Sequence, residues 1–330
     1  MTTLEQDKVD PGKSDFPRPS RETWTQAAAA SNGGLSADRL ISQTYEGITV
    51  QPLYVHDDIE LLEAVRTIPG RPPYMRGENA AGYLIAPWEV AQEIAHGLPV
   101  EFNRVVTQEL ESGLTAINMV LDGPTRAGQD PDKAHAGDVG RGGVSLATVE
   151  DVSIALEEVN LLPTSLSIRV GTAGLPVLAL LVAQLRWSGR LPELHGCLEN
   201  DPLADLVTQG TLPLPLDRAY DEMAQQTRWA AQQAPRLMTV AVHTAPYHDA
   251  GVSAVMELAF GLASGVAYLR AFDERGIDVN LSARHMRFDL VIGDDFFMEI
   301  AKLRAARLLW SKIVAACGGD DDAQRMRIHA

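Results

Sequence analysis

From about residue 114 to its end the chain alternates short runs of β-prone residues with longer stretches of helical period. This rhythm constrains the fold most, because strands separated by helices pair in parallel through βαβ crossovers. The runs 115–121 (TAINMVL), 165–170 (SLSIRV), 194–198, 237–243 (LMTVAVH), 286–292 and 326–329 read as strands. The stretches 149–158, 176–188, 216–233, 253–275 and 296–316 read as helices. Local signals agree: Thr148 is placed to cap one helix, Pro176 sits in the first turn of another, and Gly276 stops a third. Six such strands predict an α/β fold of the (β/α)8 TIM-barrel type that runs out in its sixth strand at Ala330. A doubly wound sheet is the alternative. On the barrel reading Ile117 and Met119 point inward. The first and sixth strands then carry open edges, which favour self-association.

The preceding residues divide in two. Residues 1–34, with Pro11, Pro17 and Pro19, predict an extended arm holding at most a short helix around Trp24. Residues 35–113 form a mixed linker and entry region, with a Pro/Gly turn at 69–73 and helices expected over 88–96 and 100–112. The formal net charge of −16 argues against a nucleic-acid partner, and any anionic ligand would need a local Arg or Lys patch. Cys197 and Cys317 form no Cys-x-x-Cys pair and read as free thiols of a cytoplasmic protein. The N-terminus lacks the apolar core of a signal peptide, and the longest apolar runs, such as 177–183, are too short to span a bilayer. No Gly-x-Gly-x-x-Gly follows the first strand, and there is no Walker loop. Gly140, Gly142 and Gly143 read as a plain loop. None of the eight histidines sits in a metal-ligand pattern, and Asp132-Lys-Ala-His135 reads as a loop.

Three collinear stretches carry a resemblance. They are TYEGITVQPLY with PGRPPYMRG (44–54 and 69–77), GDVGRGGVSLATVEDV with GLPVLALL (137–152 and 174–181), and FFMEIAKLRAARLLW (296–310). On these residues the chain resembles the methylmalonyl-CoA mutase family, and most closely the non-catalytic small (beta) subunit, over the N-terminal substrate barrel. The resemblance implies a barrel that binds acyl-CoA along its axis and faces a cobalamin domain. In such a complex adenosylcobalamin supports the isomerisation of methylmalonyl-CoA to succinyl-CoA. It further implies that Arg71, Tyr74 and Arg76 lie near CoA, and that Glu299 and Asp295 lie on the cofactor side. Read by physics alone, the Pro-rich 69–77 segment is a stiff basic turn, either solvated or holding phosphate. Glu299 is an acid favoured by the helix dipole.

The departures from the family pattern fall in four stretches. Aligning Asp249-Ala250-Gly251 with the family's Glu-Ala-Gly puts Pro246 where the catalytic His stands, and proline has no proton to give. His248 would reach that place only with a two-residue shift, and His243 lies on the strand. Glu199 replaces a Gln, and Gln209 replaces the carboxylate-binding Arg. Thr125-Arg126-Ala127-Gly128-Gln129 replaces Thr-His-Arg-Gly-Tyr, and in PWEVAQE (87–93) Ala91 and Glu93 replace an Arg and a Tyr. Tyr83 reads equally as packing or contact. The expectation is a non-catalytic barrel subunit forming a heterodimer with a catalytic large mutase subunit, with no cobalamin-binding domain and no cobalamin bound by this chain alone. A truncated acyl-CoA mutase of altered acyl specificity, acting with a separate cobalamin-binding subunit, is the competing reading, and a simple CoA-binding module is the third.

Overall fold

The computed structural model describes residues 19–60, 62–84 and 87–330. The chain divides into two compact units, residues 1–65 and 66–330. In the first, helix α1 (Arg21–Ser31) starts at Ser20, whose hydroxyl accepts from Thr23 N. This is the short helix expected around Trp24; residues 1–18 of the expected arm lie outside the described residues. Strands β1 (Ser42–Gln43) and β2 (Thr49–Val50) pair antiparallel.

The second unit is built on parallel strands: β3 (Ala91–Ile94), β4 (Ala116–Val120), β5 (Ser165–Arg169), β6 (Gly196–Glu199), β7 (Leu237–Met238), β8 (Val240–His243), β9 (Met286–Asp289) and β10 (Arg327–His329). One ladder runs β3-β4-β5-β6-β7 and the other β8-β9-β10, with every pair parallel. The expected strand 237–243 is therefore one segment that changes ladder at Thr239. There the Thr239 and Val240 amides both donate to His285 O, and the Thr239 hydroxyl meets that of Thr227 at 2.6 Å. Ala241 N donates to Asn200 O at 3.2 Å, which ties β8 to the end of β6. The arrangement is compatible with a partial TIM-type barrel. It does not close: β3 and β10 are the outer strands of their ladders.

Two expectations fail here. Residues 88–96 do not form a helix. Val90 O accepts from the Thr115 and Ala116 amides, and residues 91–94 then pair with β4. Sheet pairing thus overrides the helical preference of Ala, Gln and Glu. A strand precedes 115–121, so with β7 and β8 taken as one the series β3–β10 has seven members rather than six. The second failure concerns the faces. Ile117 and Met119 do not point to the axis. They lie in one apolar cluster with Phe102 and Val106 of α2 (Pro99–Glu111), Val152 of α3 (Val149–Ala155) and Leu178 of α4 (Gly174–Trp187).

The same two-residue alternation holds on every main strand. Leu166, Ile168 and Leu198 join the cluster with Ile117. Val240, Val242, Met286 and Phe288 pack in a second cluster with Leu258 and Leu269 of α7 (Ala254–Asp273) and Trp310 of α9 (Phe296–Ala316). Burial of each large side chain contributes about 1.5–3 kcal/mol. By length and composition α7 could cross a membrane, which exceeds what the sequence suggested. Yet 56% of its most apolar window is buried inside the fold, where its side chains cover β8 and β9. The opposite face of the strands is left with Asn118, Ser165, Ser167, Arg169, Cys197, Glu199, Ala241, His243, Arg287 and Asp289.

Candidate functional site

At the C-terminal ends of β5, β6, β8 and β9 those inner side chains meet in one buried ionic cluster. Arg287 is its hub. Its Nη1 donates to Ser167 Oγ at 2.7 Å, its Nη2 to Glu199 Oε1 at 2.6 Å, and its Nε to Asp289 Oδ1 at 2.7 Å. His243 presents both ring nitrogens to carboxylates. Nε2 lies 3.1 Å from Glu199 Oε2 and 3.3 Å from Asp289 Oδ2, and Nδ1 lies 3.3 Å from Asp201 Oδ2. Asp201 also takes the His243 amide at 2.7 Å and the Tyr268 hydroxyl, and caps α5 (Pro202–Gln209) by accepting from Ala204 N. Arg169 reaches Glu199 at 3.8 Å and Glu93 of β3 at 3.5 Å.

Protonation follows from this geometry. Burial works against a charged His243, but hydrogen bonds to Asp201 and Glu199 and the charge of Asp289 raise its pKa to about 10. Burial would raise the Glu199 pKa, yet the His243 hydrogen bond and the Arg287, His243 and Arg169 charges lower it to about 2. Around neutral pH His243 is thus imidazolium and Glu199 carboxylate. An imidazolium with so high a pKa is a weak proton donor and a carboxylate with so low a pKa a weak acceptor, so the pair suits ion pairing better than proton exchange. Ligand atoms of Glu199, His243 and Asp289 gather within 4.8 Å, a grouping the sequence did not suggest and one that could hold a metal ion. The imidazolium and Arg287 already neutralise those carboxylates, so the chemistry of the set favours an internal ion network.

A cavity of about 220 Å³ opens beside the cluster, lined among others by Arg169, Glu199, Gln209, His243, Pro246 and Asp249. Glu199, Gln209 and Pro246, singled out by the resemblance, therefore come together in space, with Glu93 joined to Glu199 through Arg169. Ala91, half-buried on the outer strand β3, is not part of this lining. Nothing on Pro246 can act on a proton. Asn200 is committed to structure: its Nδ2 donates to Thr239 O at 2.8 Å and Gln226 Oε1 at 3.0 Å.

His248 joins a second cluster. Its Nδ1 lies 3.3 Å from Glu257 Oε2. Buried Lys302 sits 2.8 Å from Glu257 Oε2, 2.6 Å from Glu299 Oε2 and 2.6 Å from Val291 O. Burial would raise the Glu257 pKa, but the Lys302 and Thr244 hydrogen bonds and the Lys302 charge lower it. Glu299 is thus an ion-pair partner of Lys302 as well as a first-turn acid. Asp295 caps α9, its side chain accepting from Met298 N at 3.1 Å. Away from both clusters, Arg71 is exposed, Arg76 donates to Thr67 O at 3.3 Å, and Tyr74 is buried with the Arg325 guanidinium 5.4 Å from its ring centre.

Sequence reasoning passed over Arg287, Glu257 and Lys302 and left His243 undirected. The signal for Arg287 and Asp289 was present in MRFD, where apolar Met286 and Phe288 alternate with charges.

Comparison with known proteins places these features in context. A family model described as methylmalonyl-CoA mutase matches residues 43–330. The chain is 36% identical over 316 residues to a methylmalonyl-CoA mutase large subunit of Streptomyces virginiae, covering 95% of this chain and 43% of that one. It is 34% identical over 304 residues to a methylmalonyl-CoA mutase of Escherichia coli, covering 91% and 43%. A large subunit of the same name from Porphyromonas gingivalis is 34% identical over 278 residues, covering 84% and 39%. The chain spans less than half the length of these relatives.

Proposed function

The chain belongs to the methylmalonyl-CoA mutase family, and we propose that it serves there as a barrel subunit that does not itself carry out the rearrangement. The observation that carries this reading is Arg287, which extends from β9 to Ser167 on β5 and is held by Glu199 and Asp289. An acyl-CoA threaded along the axis would have to displace a buried guanidinium from two carboxylates, which costs about 3–5 kcal/mol where a buried pair is broken. Around it His243 is a weak acid and Glu199 a weak base, and each is held by ion pairs with its neighbours. Pro246 offers no acid and Gln209 no cation, and Arg169, which lines the cavity with Arg126, is paired with Glu93 and Glu199.

Adenosylcobalamin supplies the radical chemistry of such mutases. The residues here do not fit that group: Glu299 is taken by Lys302, Asp295 by the first turn of α9, and Glu93 by Arg169. We therefore assign the cofactor to a catalytic mutase chain, with which this chain forms a heterodimer in the cytoplasm, its arm of residues 1–34 contributing to the contact. The alternative, a shortened acyl-CoA mutase of altered specificity, rests on His248, which borders the Glu257–Lys302 cluster. Co-purification with a catalytic mutase chain, with and without residues 1–34, together with calorimetric titration of methylmalonyl-CoA into the isolated chain, tests the proposal. A stable complex weakened by the deletion and no binding along the axis are expected. Tight methylmalonyl-CoA binding by the isolated chain, or failure to associate, would overturn it.

A further inference from the structure

The loop between β4 and α3 holds Arg126, which also lines the cavity beside the Arg287 network, and Arg141, which does not. Arg126 and Arg141 line one surface cavity of about 460 Å³, together with Gly123, Gln129, Asp138 and Gly142. Neither arginine makes an ion pair among the described residues, in a chain whose formal net charge is −16. Arg126 Nε is shut from solvent and has no hydrogen-bond partner. A buried guanidinium donor left unbonded costs about 1–3 kcal/mol or more, so its retention calls for an acceptor.

The backbone next to each arginine is tied to one carboxylate. Asp122, 1% exposed, accepts Thr125 N at its Oδ1 (2.8 Å) and Gly140 N at its Oδ2 (2.7 Å). Arg126 and Arg141 are the residues that follow each of those amides. One buried carboxylate therefore anchors both flanks of the cavity. The Thr125 hydroxyl accepts Leu146 N at 3.3 Å, and Val144 N donates to Val120 O at 2.8 Å, which pins the far end of the loop to β4. Gly140 lies against Gly97 with no room for a side chain: a Cβ on Gly97 would meet Gly140 O at 2.3 Å. Two unpaired guanidinium groups on a braced loop suit an acceptor with several oxygens and two negative charges. Asp138 on the same wall offsets one of the two positive charges. The Gln129 amide donates to Lys133 O, which leaves the arginines as the donors.

We propose that this loop binds a phosphate-class dianion between Arg126 and Arg141. Through Arg126 the site adjoins the cavity beside the Arg287 network, but the proposal does not depend on the function proposed above. Calorimetric titration of inorganic phosphate into the full chain at low ionic strength tests it, with succinate titrated in parallel. Saturable one-to-one phosphate binding is expected, weakened at least tenfold by Arg126→Gln and by Arg141→Gln. Arg104→Gln, in a separate surface cavity with Glu101 and Glu111, should leave it unchanged. Arg141 is exposed, so its replacement keeps the fold, which a melting curve verifies. Absence of saturable binding, equal affinity in the Arg141→Gln chain, or preference for succinate over phosphate would each overturn the proposal.

Discussion

Arg287 on β9 donates to Ser167 on β5 at 2.7 Å, although the two strands belong to different ladders and are not neighbours in either. The same guanidinium binds Glu199 on β6, so one side chain ties together β5, β6 and β9. Small residues on the inner face, Ser165, Ser167, Cys197 and Ala241, leave room for such a crossing. A layered apolar interior, usual in this architecture, would not.

Removing that hub should be costly. Arg287→Ala leaves Glu199 and Asp289 buried with less compensation, and a loss of about 3–5 kcal/mol is expected in chemical denaturation. Arg287→Met combined with Glu199→Gln removes charge on both sides and should lose clearly less than the sum of the single changes. Additive losses would mean that the pair is not coupled.

Stability should also depend on pH through His243. Its folded pKa, about 10, lies above the ordinary value of 6.5. The folded state therefore binds the proton more tightly. The resulting stabilisation is fully present below about pH 6.5 and is lost as pH rises through about 10. Thermal melts should fall across that window, and His243→Gln should flatten the fall. Glu199, lowered to about 2, contributes in the opposite sense: its stabilisation is present above about pH 4.5 and is lost as pH falls toward 2. Glu199→Gln should reduce the acid-side loss.

Gly174 at the start of α4 is a packing requirement. A Cβ there would lie 2.0 Å from Asn200 Oδ1 and 3.0 Å from Gln226 Oε1. Gly174→Ala should destabilise by about 2–3 kcal/mol, because Asn200 must move and release Thr239 O at the change of ladder. Gly123→Ala, which meets nothing within 4 Å, should stay within about 0.5 kcal/mol of the parent. Equal melting temperatures for the two variants would contradict this packing account.

Much of the fold was legible from 115 onward, because α/β periodicity is a local signal that survives in a single sequence. Strand β3 was not, since AQEI carries helical propensity and becomes a strand only by pairing with β4. The facing of Ile117 and Met119 was misread for a related reason. Alternation shows which residues share a face, and only the packing of α2 and α3 shows that the apolar face meets the helices rather than the axis. In the candidate site, Glu199, Gln209 and Pro246, singled out from the sequence, line one cavity. Their partners were missed: Arg287 bonds to Ser167 120 positions away, and no spacing rule reaches that far.

Whether this chain performs the rearrangement is decided by incubating it, purified, with adenosylcobalamin and methylmalonyl-CoA and measuring succinyl-CoA. No product above the uncatalysed background is predicted, with Pro246 and Gln209 in the lining and His243 held between Glu199 and Asp201. Turnover by the chain alone that disappears in the His248→Ala variant would contradict this prediction and would place the acid of the reaction two residues beyond Pro246.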